Sequence, residues 1–253
     1  MIKDGDCTLI IPAAGKGSRL GWQLPKTLFP VAGKPILEHI LASFQPFFRE
    51  TVLVVSPEGF QDIRHHLGGM ANIAYVIQAE PKGMGEAVAL GLEACKTSLC
   101  ACIWGDQPYC PQTVIQVCLE ALRENASLML AMPVFKKNAP YVHLELDNSG
   151  RMSRVLQKRE GDSLPLEGLV DCSVFFFRAS EMRVALKTAL VNGILKGKET
   201  GEINFLPVLT LINQVHFHLI DASDYSPGVN TAEEADTLAT LWDRKTVKCL
   251  AED

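Results

Sequence analysis

Apolar positions along the chain follow two rhythms. Short apolar runs occur at 9–11, 51–55, 73–77 and 100–104. An apolar run of this length bounded by turn residues is the mark of a strand buried on both faces. Between the runs the spacing lengthens. Residues 58–67 and 84–95 repeat as helices do. In 111–125, Val114, Ile115, Cys118, Leu119 and Leu122 form one helical face, and Pro111 suits a first-turn position. Strands alternating with helices predict a predominantly parallel sheet covered on both faces. From Leu128 the strand-like runs crowd together, at 128–134, 142–146, 152–157 and 173–177. Asn148-Ser149-Gly150 is a hairpin turn between two of them. This half is expected to form a smaller mixed or antiparallel lid. Helical spacing returns at 181–191, 204–212 and 231–244, and the polar segment 196–201 reads as a mobile loop. His65-His66 before Gly68-Gly69 reads as the end of a surface helix.

Composition narrows the partners. The 253-residue chain carries a net charge of -5, which argues against a nucleic-acid partner. No apolar run of about 18 residues suggests a membrane span, and Met1 to Asp6 is too polar for a signal peptide. A cytoplasmic location is the expectation. The eight cysteines contain no Cys-x-x-Cys pair. Buried reduced thiols are expected, and a zinc site is not.

Against this acidic background stands one cationic island. The strand at 9–11 runs into Pro12, Ala13, Ala14, Gly15, Lys16, Gly17, Ser18 and Arg19, with Lys26 and Lys34 further on. No Asp or Glu lies between Ile10 and Leu37. Small residues and glycines let successive backbone N–H groups converge on an anion, and Lys and Arg add charge. A polyphosphate fits such a cradle. The Walker A pattern fails, because Gly21 precedes Trp22 rather than Lys. The dinucleotide fingerprint fails as well, because Leu20 stands where its third Gly or Ala belongs.

The pattern Ala-Ala-Gly-x-Gly-Ser-Arg, followed by Pro25-Lys26 and Gly33-Lys34-Pro35, resembles the opening of the sugar-phosphate nucleotidyltransferases. The resemblance is strongest to the uridylyltransferase domain of the bifunctional N-acetylglucosamine-1-phosphate uridylyltransferases. It is dense up to Pro108 and again at Gly228 to Asn230. It implies a Rossmann-like α/β fold in one domain over 1–253, with a nucleotide-binding half at 1–125, an acceptor-binding lid half at 126–230 and a C-terminal helix at 231–253. It also implies an enzyme that joins a nucleoside triphosphate, UTP by the likeness, to a phosphorylated acceptor such as a sugar 1-phosphate, with Mg²⁺.

Carried over residue by residue, the likeness makes Arg19, Lys26 and Asp106 the catalytic groups. Residues Pro12 to Ser18 hold the phosphates, and Gln78, Gly83, Met84 and Gly85 hold the nucleoside. Gln78 offers a base edge both a donor and an acceptor. Asp106, in Trp104-Gly105-Asp106, and Asn230, in Pro227-Gly228-Val229-Asn230, are the implied Mg²⁺ ligands. Read by itself, Asn230 is also a candidate cap for the helix after it. The acceptor side departs from the family pattern. Pro140-Tyr141-Val142-His143, Gln157 and Asp171-Cys172-Ser173 stand where the relatives place a Gly-Tyr-Gly-Arg segment, a Glu and the Asn of an Asn-Thr-Gly run. Two other readings stay open: cytidylyl transfer to a polyol phosphate or similar acceptor, and a nucleotide-sensing domain without catalysis.

Overall fold

A computed structural model describes residues 7–222, 225 and 228–249, with side chains described as far as 240. The polar start at 1–6, Pro227 and the last residues of the expected C-terminal helix lie outside the described residues. In chain order the strands and helices are β1 (Cys7–Pro12), β2 (Pro30–Val31), β3 (Lys34–Pro35), α1 (Ile36–Phe44), β4 (Glu50–Val55), α2 (Phe60–Leu67), β5 (Ile73–Ile77), α3 (Met84–Ala94) and β6 (Leu99–Ile103). Then come α4 (Gln112–Glu124), β7 (Leu130–Asn138), β8 (Val142–Leu146), β9 (Met152–Gln157), β10 (Glu167–Asp171), β11 (Val174–Arg178), α5 (Ala179–Val191), β12 (Val215–Leu219) and α6 (Ala232–Cys249).

Among the described residues eight strands share one sheet. β6, β1, β4 and β5 lie side by side and parallel, as their apolar runs predict. β11 joins β6 antiparallel, and β7 joins β11 antiparallel. β12 pairs parallel with β7. Asp171 opposes Val134 and Phe176 opposes Ala131, so β10 and β11 run along the same strand β7 in succession. They are separated by Ser173, whose φ of 59° breaks the extended chain. Most of the strands after 128 therefore extend the central sheet, and among the described residues there only the β8–β9 hairpin forms a separate two-stranded sheet.

Alternate side chains of the central strands feed opposite layers. Leu9, Ile11, Leu53, Val55, Leu99 and Ile103 pack under α1, α2, α4 and α6. Ile10, Val52, Val54, Cys100 and Cys102 pack under α3 and α5. The molecule is thus a three-layer α/β fold with helices on both faces. Arg178, at the end of β11, donates to the carbonyls of Leu122, Asn125 and Leu128 and so satisfies the C-terminal end of α4.

Several elements differ from expectation. α1 was not anticipated. Six of its nine residues are buried, so it lacks the polar stripe that marks a surface helix. The expected helix at 204–212 is a 3₁₀ segment, Leu206–Leu211, with Pro207 in its first turn. Its β-branched Val208 and Thr210 also disfavour a longer α-helix. Cys7 is buried, and Cys95, Cys100, Cys102, Cys110, Cys118 and Cys172 are buried free thiols. Among the described residues no helix is long and apolar enough to cross a membrane.

Candidate active site

β1 and β6 end next to each other, and the loops leaving the two strands meet in one cleft. Gly105 permits this approach: a Cβ there would sit 2.3 Å from the Pro12 carbonyl oxygen. The chain after β1 bends back on itself, with the Lys26 amide bonded to the Gly15 carbonyl at 3.0 Å. The short 3₁₀ turns Ser18–Leu20 and Lys26–Leu28 then aim Arg19 and Lys26 across the mouth.

Four side chains far apart in sequence converge there. The Lys26 ammonium donates to Asp106 Oδ2 at 2.7 Å and to Asn230 Oδ1 at 2.9 Å. Arg19 Nη2 donates to the same Asn230 oxygen at 3.1 Å. The segment before α6 is fixed on Asp106 by the Val229 amide, which donates to the Asp106 carbonyl at 2.8 Å.

Asn230 is not the cap of α6. The cap is a reciprocal pair. The Glu234 amide donates to Thr231 Oγ1 at 3.2 Å, and Glu234 Oε2 accepts from the amides of Asn230 and Thr231 at 2.7 and 3.1 Å. This is a capping box. It leaves the Asn230 carbonyl oxygen directed at the two cations.

The donor set suits a small divalent ion. Mg²⁺ takes carboxylate and amide oxygens together with phosphate oxygens. Asp106 and Asn230 present two such oxygens to one point, and the Lys26 ammonium, itself a cation, stands there. Among the described residues no group of three His, Cys, Asp or Glu could hold a metal. The geometry therefore fits an ion shared with a ligand, not a cage made by protein alone.

The cleft has a volume of about 220 Å³. Pro12, Ala14, Gly15, Lys26, Gln78 and Asp106 line it, with Gly83 and Met84 at the start of α3. Gln78 is buried, and its amide nitrogen is already used: it donates to Glu86 Oε2 at 2.9 Å and to the Gly83 carbonyl at 3.2 Å. It was expected to offer a base both a donor and an acceptor; the protein has engaged the donor. Lys16 is exposed, faces Glu58 at 3.9 Å and is not among the residues that line the cleft.

Gln157 and Asp171 do not line this cleft. Both are buried. Gln157 Oε1 accepts from Asn204 Nδ2 at 2.8 Å. Asp171 accepts from the Ser173 amide at 2.8 Å. Burial pushes the Asp171 carboxyl above its ordinary pKa, and that amide only partly opposes the shift. Tyr225 stacks on Phe135 at 4.3 Å. Burial, and after it the nearby charges of Asp171, Cys172 and Asp106, raise its phenol pKa. Reading the sequence did not single out Tyr225, because it stands between Asp224 and Ser226 with no apolar periodicity around it. Glu202 also lines the cleft. Its only signal in the sequence is the Gly201-Glu202 pair.

Residues 9–169 match the family model described as MobA-like NTP transferase domain. The chain belongs to the MobA-like NTP transferase domain family. Among curated proteins it is similar to the "Bifunctional protein GlmU" of Acinetobacter baumannii, 33% identical over 128 residues, 50% of this chain and 28% of that protein. The protein of the same name from Burkholderia multivorans is 24% identical over 253 residues, 97% of this chain and 54% of the relative. The chain thus spans between about a quarter and about half the length of these relatives. Among solved structures, a 4-diphosphocytidyl-2C-methyl-D-erythritol synthase from Anaerococcus prevotii has a TM-score of 0.66 at 16% identity, covering 95% of this chain and 100% of that one. A CMP:2-keto-3-deoxy-manno-octonic acid synthetase complexed with CTP has a TM-score of 0.69 at 15% identity, covering 94% and 99%. At such identity these structures share the fold.

Proposed function

We propose that the protein is a nucleotidyltransferase that moves UMP from UTP to a sugar 1-phosphate and releases pyrophosphate. The observation that carries the reading is the meeting of Arg19, Lys26, Asp106 and Asn230 at the mouth of a backbone phosphate cradle. Family membership supports it. An oxygen of the acceptor phosphate attacks the α-phosphorus in line. The bond from the α-phosphorus to the bridging oxygen breaks, and pyrophosphate leaves with the electron pair. No covalent enzyme intermediate is required, so the work of the chain is positioning and charge neutralisation.

The amides of 13–18 and Arg19 hold the β- and γ-phosphates. Lys26 passes its ammonium from Asp106 and Asn230 to the phosphoryl oxygens as charge develops on them. Asp106 and Asn230 would hold Mg²⁺, which supplies further neutralisation of the phosphate oxygens when bound. Gln78 turns its carbonyl to the base. An acceptor atom there suits the N3–H of uracil and the N4 amine of cytosine equally, so cytidylyl transfer is the second reading. Gln157 and Asp171 belong to the acceptor half in either reading.

Pyrophosphate release should be measured with each of the four ribonucleoside triphosphates against a panel of sugar 1-phosphates and polyol phosphates. Turnover with UTP and one sugar 1-phosphate is the expected result. Turnover with CTP alone moves the reading to the cytidylyl enzyme. Tight nucleotide binding without any turnover moves it to a sensing domain.

A further inference from the structure

A buried carboxylate outside the cleft holds part of the cleft in shape. Glu160 ends the 3₁₀ turn Lys158–Glu160 after β9 and is 5% exposed. Its oxygens accept from Thr200 Oγ1 at 2.8 Å, from the Glu199 amide at 3.1 Å and from the Thr200 amide at 3.4 Å. Arg159 lies 3.5 Å away. Gly197 is packed against the same group: a Cβ there would come within 2.7 Å of both carboxylate oxygens. The polar segment 196–201, expected to be mobile, is thus tied down at one buried charge.

The segment passes that order to the nucleoside side of the cleft. Its ends are clasped by the Gly197 amide on the Glu202 carbonyl at 2.8 Å. Ile203 then bonds to the loop after β5 and to the first turn of α3. Its amide donates to the Lys82 carbonyl at 2.7 Å, and its carbonyl accepts from the Gly85 amide at 2.8 Å. Contact here is close enough to require glycine. A Cβ on Gly83, whose φ is 113°, would meet the Ile203 oxygen at 2.6 Å, and one on Gly85 would meet it at 3.0 Å. Gly83 and Met84 line the cleft, as does Glu202. The phosphate cradle at 13–19 takes no part in this chain of contacts.

We infer that Glu160 is a positioning residue that sets the nucleoside-binding loop 83–85 through the strap 197–203, and so governs affinity for the nucleoside part of the substrate while leaving its phosphates to the cradle. The inference rests on the proposed function. Hydrogen bonds to a charged group are each worth a factor of about ten to a hundred.

Isothermal titration of the full chain with UTP, CTP and inorganic tripolyphosphate, each with Mg²⁺, tests it. Glu160→Ala should weaken the preferred nucleotide at least about tenfold and change tripolyphosphate binding less than about twofold. Thr200→Val should move in the same direction, and Thr200→Ser, which keeps the hydroxyl, should restore the wild-type value. This pair decides the matter if Glu160→Ala does not fold. Wild-type nucleotide affinity in Glu160→Ala, or in Thr200→Val if the former does not fold, overturns the inference alone. So does an equal loss for nucleotide and tripolyphosphate, which a general structural role would produce. A wild-type chain that binds tripolyphosphate but no nucleotide overturns the functional reading, and the inference with it.

Discussion

Replacing Asp106 by Asn separates an observed role of this carboxylate from a proposed one. It is the ion-pair partner of Lys26 at 2.7 Å, and in the proposed function it would offer an oxygen to Mg²⁺. The side chains are 15% and 28% exposed, so the pair is neither dry nor fully screened. At separations near 4 Å two unit charges interact by about 1 kcal/mol in bulk water and about 4 kcal/mol at a protein surface. Repulsion between Asp106 and a nearby phosphate should therefore cost about 1–2 kcal/mol, or about five- to thirtyfold in affinity. Without a metal, Asp106→Asn removes that repulsion and releases Lys26. In EDTA the variant should bind UTP more tightly than the wild type by about that factor. With Mg²⁺ the order should reverse, because Asn is the poorer ligand. Turnover should fall by at least about a hundredfold. Titration of UTP with and without Mg²⁺, on both proteins, measures all of this, and pyrophosphate release gives the rate. A variant that binds UTP more weakly in EDTA, or that keeps the wild-type gain from Mg²⁺, would refute the assignment of Asp106.

Three other outcomes are expected from the same geometry. Lys26→Ala should lower the rate of pyrophosphate release by at least about a hundredfold, and a rate within about tenfold of wild type would exclude a role in the transition state. Asn230→Ala should impair turnover without loosening α6, whereas Glu234→Ala should cost about 1 kcal/mol through the lost cap, a fall of about 2–4 °C in melting temperature; similar melting shifts in the two variants would contradict the division of labour. Asp171, whose pKa is raised by burial, binds its proton more tightly folded than unfolded, so its contribution to stability is complete below the unfolded pKa of about 4 and is lost as pH rises toward the higher folded value. Asp171→Asn should gain in melting temperature relative to wild type across that rise, and parallel melting curves against pH would show that the side chain is not desolvated.

Much of the sheet and the cationic bend was legible because both are local. The four parallel strands are short apolar runs, and the cradle is a contiguous stretch rich in Gly and Ala. Asp106 and Asn230 were legible as candidates through likeness to a family; they meet through Lys26, 80 residues from the one and 204 from the other, and no spacing encodes that. β12 carried a readable signal, Val215, Phe217 and Leu219 alternating with His216 and His218. Its partner β7 could not be read, because that pairing spans most of the second half of the chain. Glu160 looks like a surface charge in sequence. Only the fold shows the amides of Glu199 and Thr200 closing on it. The engagement of the Gln78 donor was not legible for a similar reason, since Glu86 reaches it from the first turn of α3.

Gly105 lies so close to Pro12 that a side chain there would run into the Pro12 carbonyl, so the junction of β1 and β6 accepts only glycine. If the proposed function holds, that junction sets the spacing between the bend at 13–19 and the Asp106 carboxylate, whichever base or acceptor is bound. Attempts to retarget such a protein should leave that junction alone and vary the strap at 197–203, which reaches the other side of the cleft through Glu202.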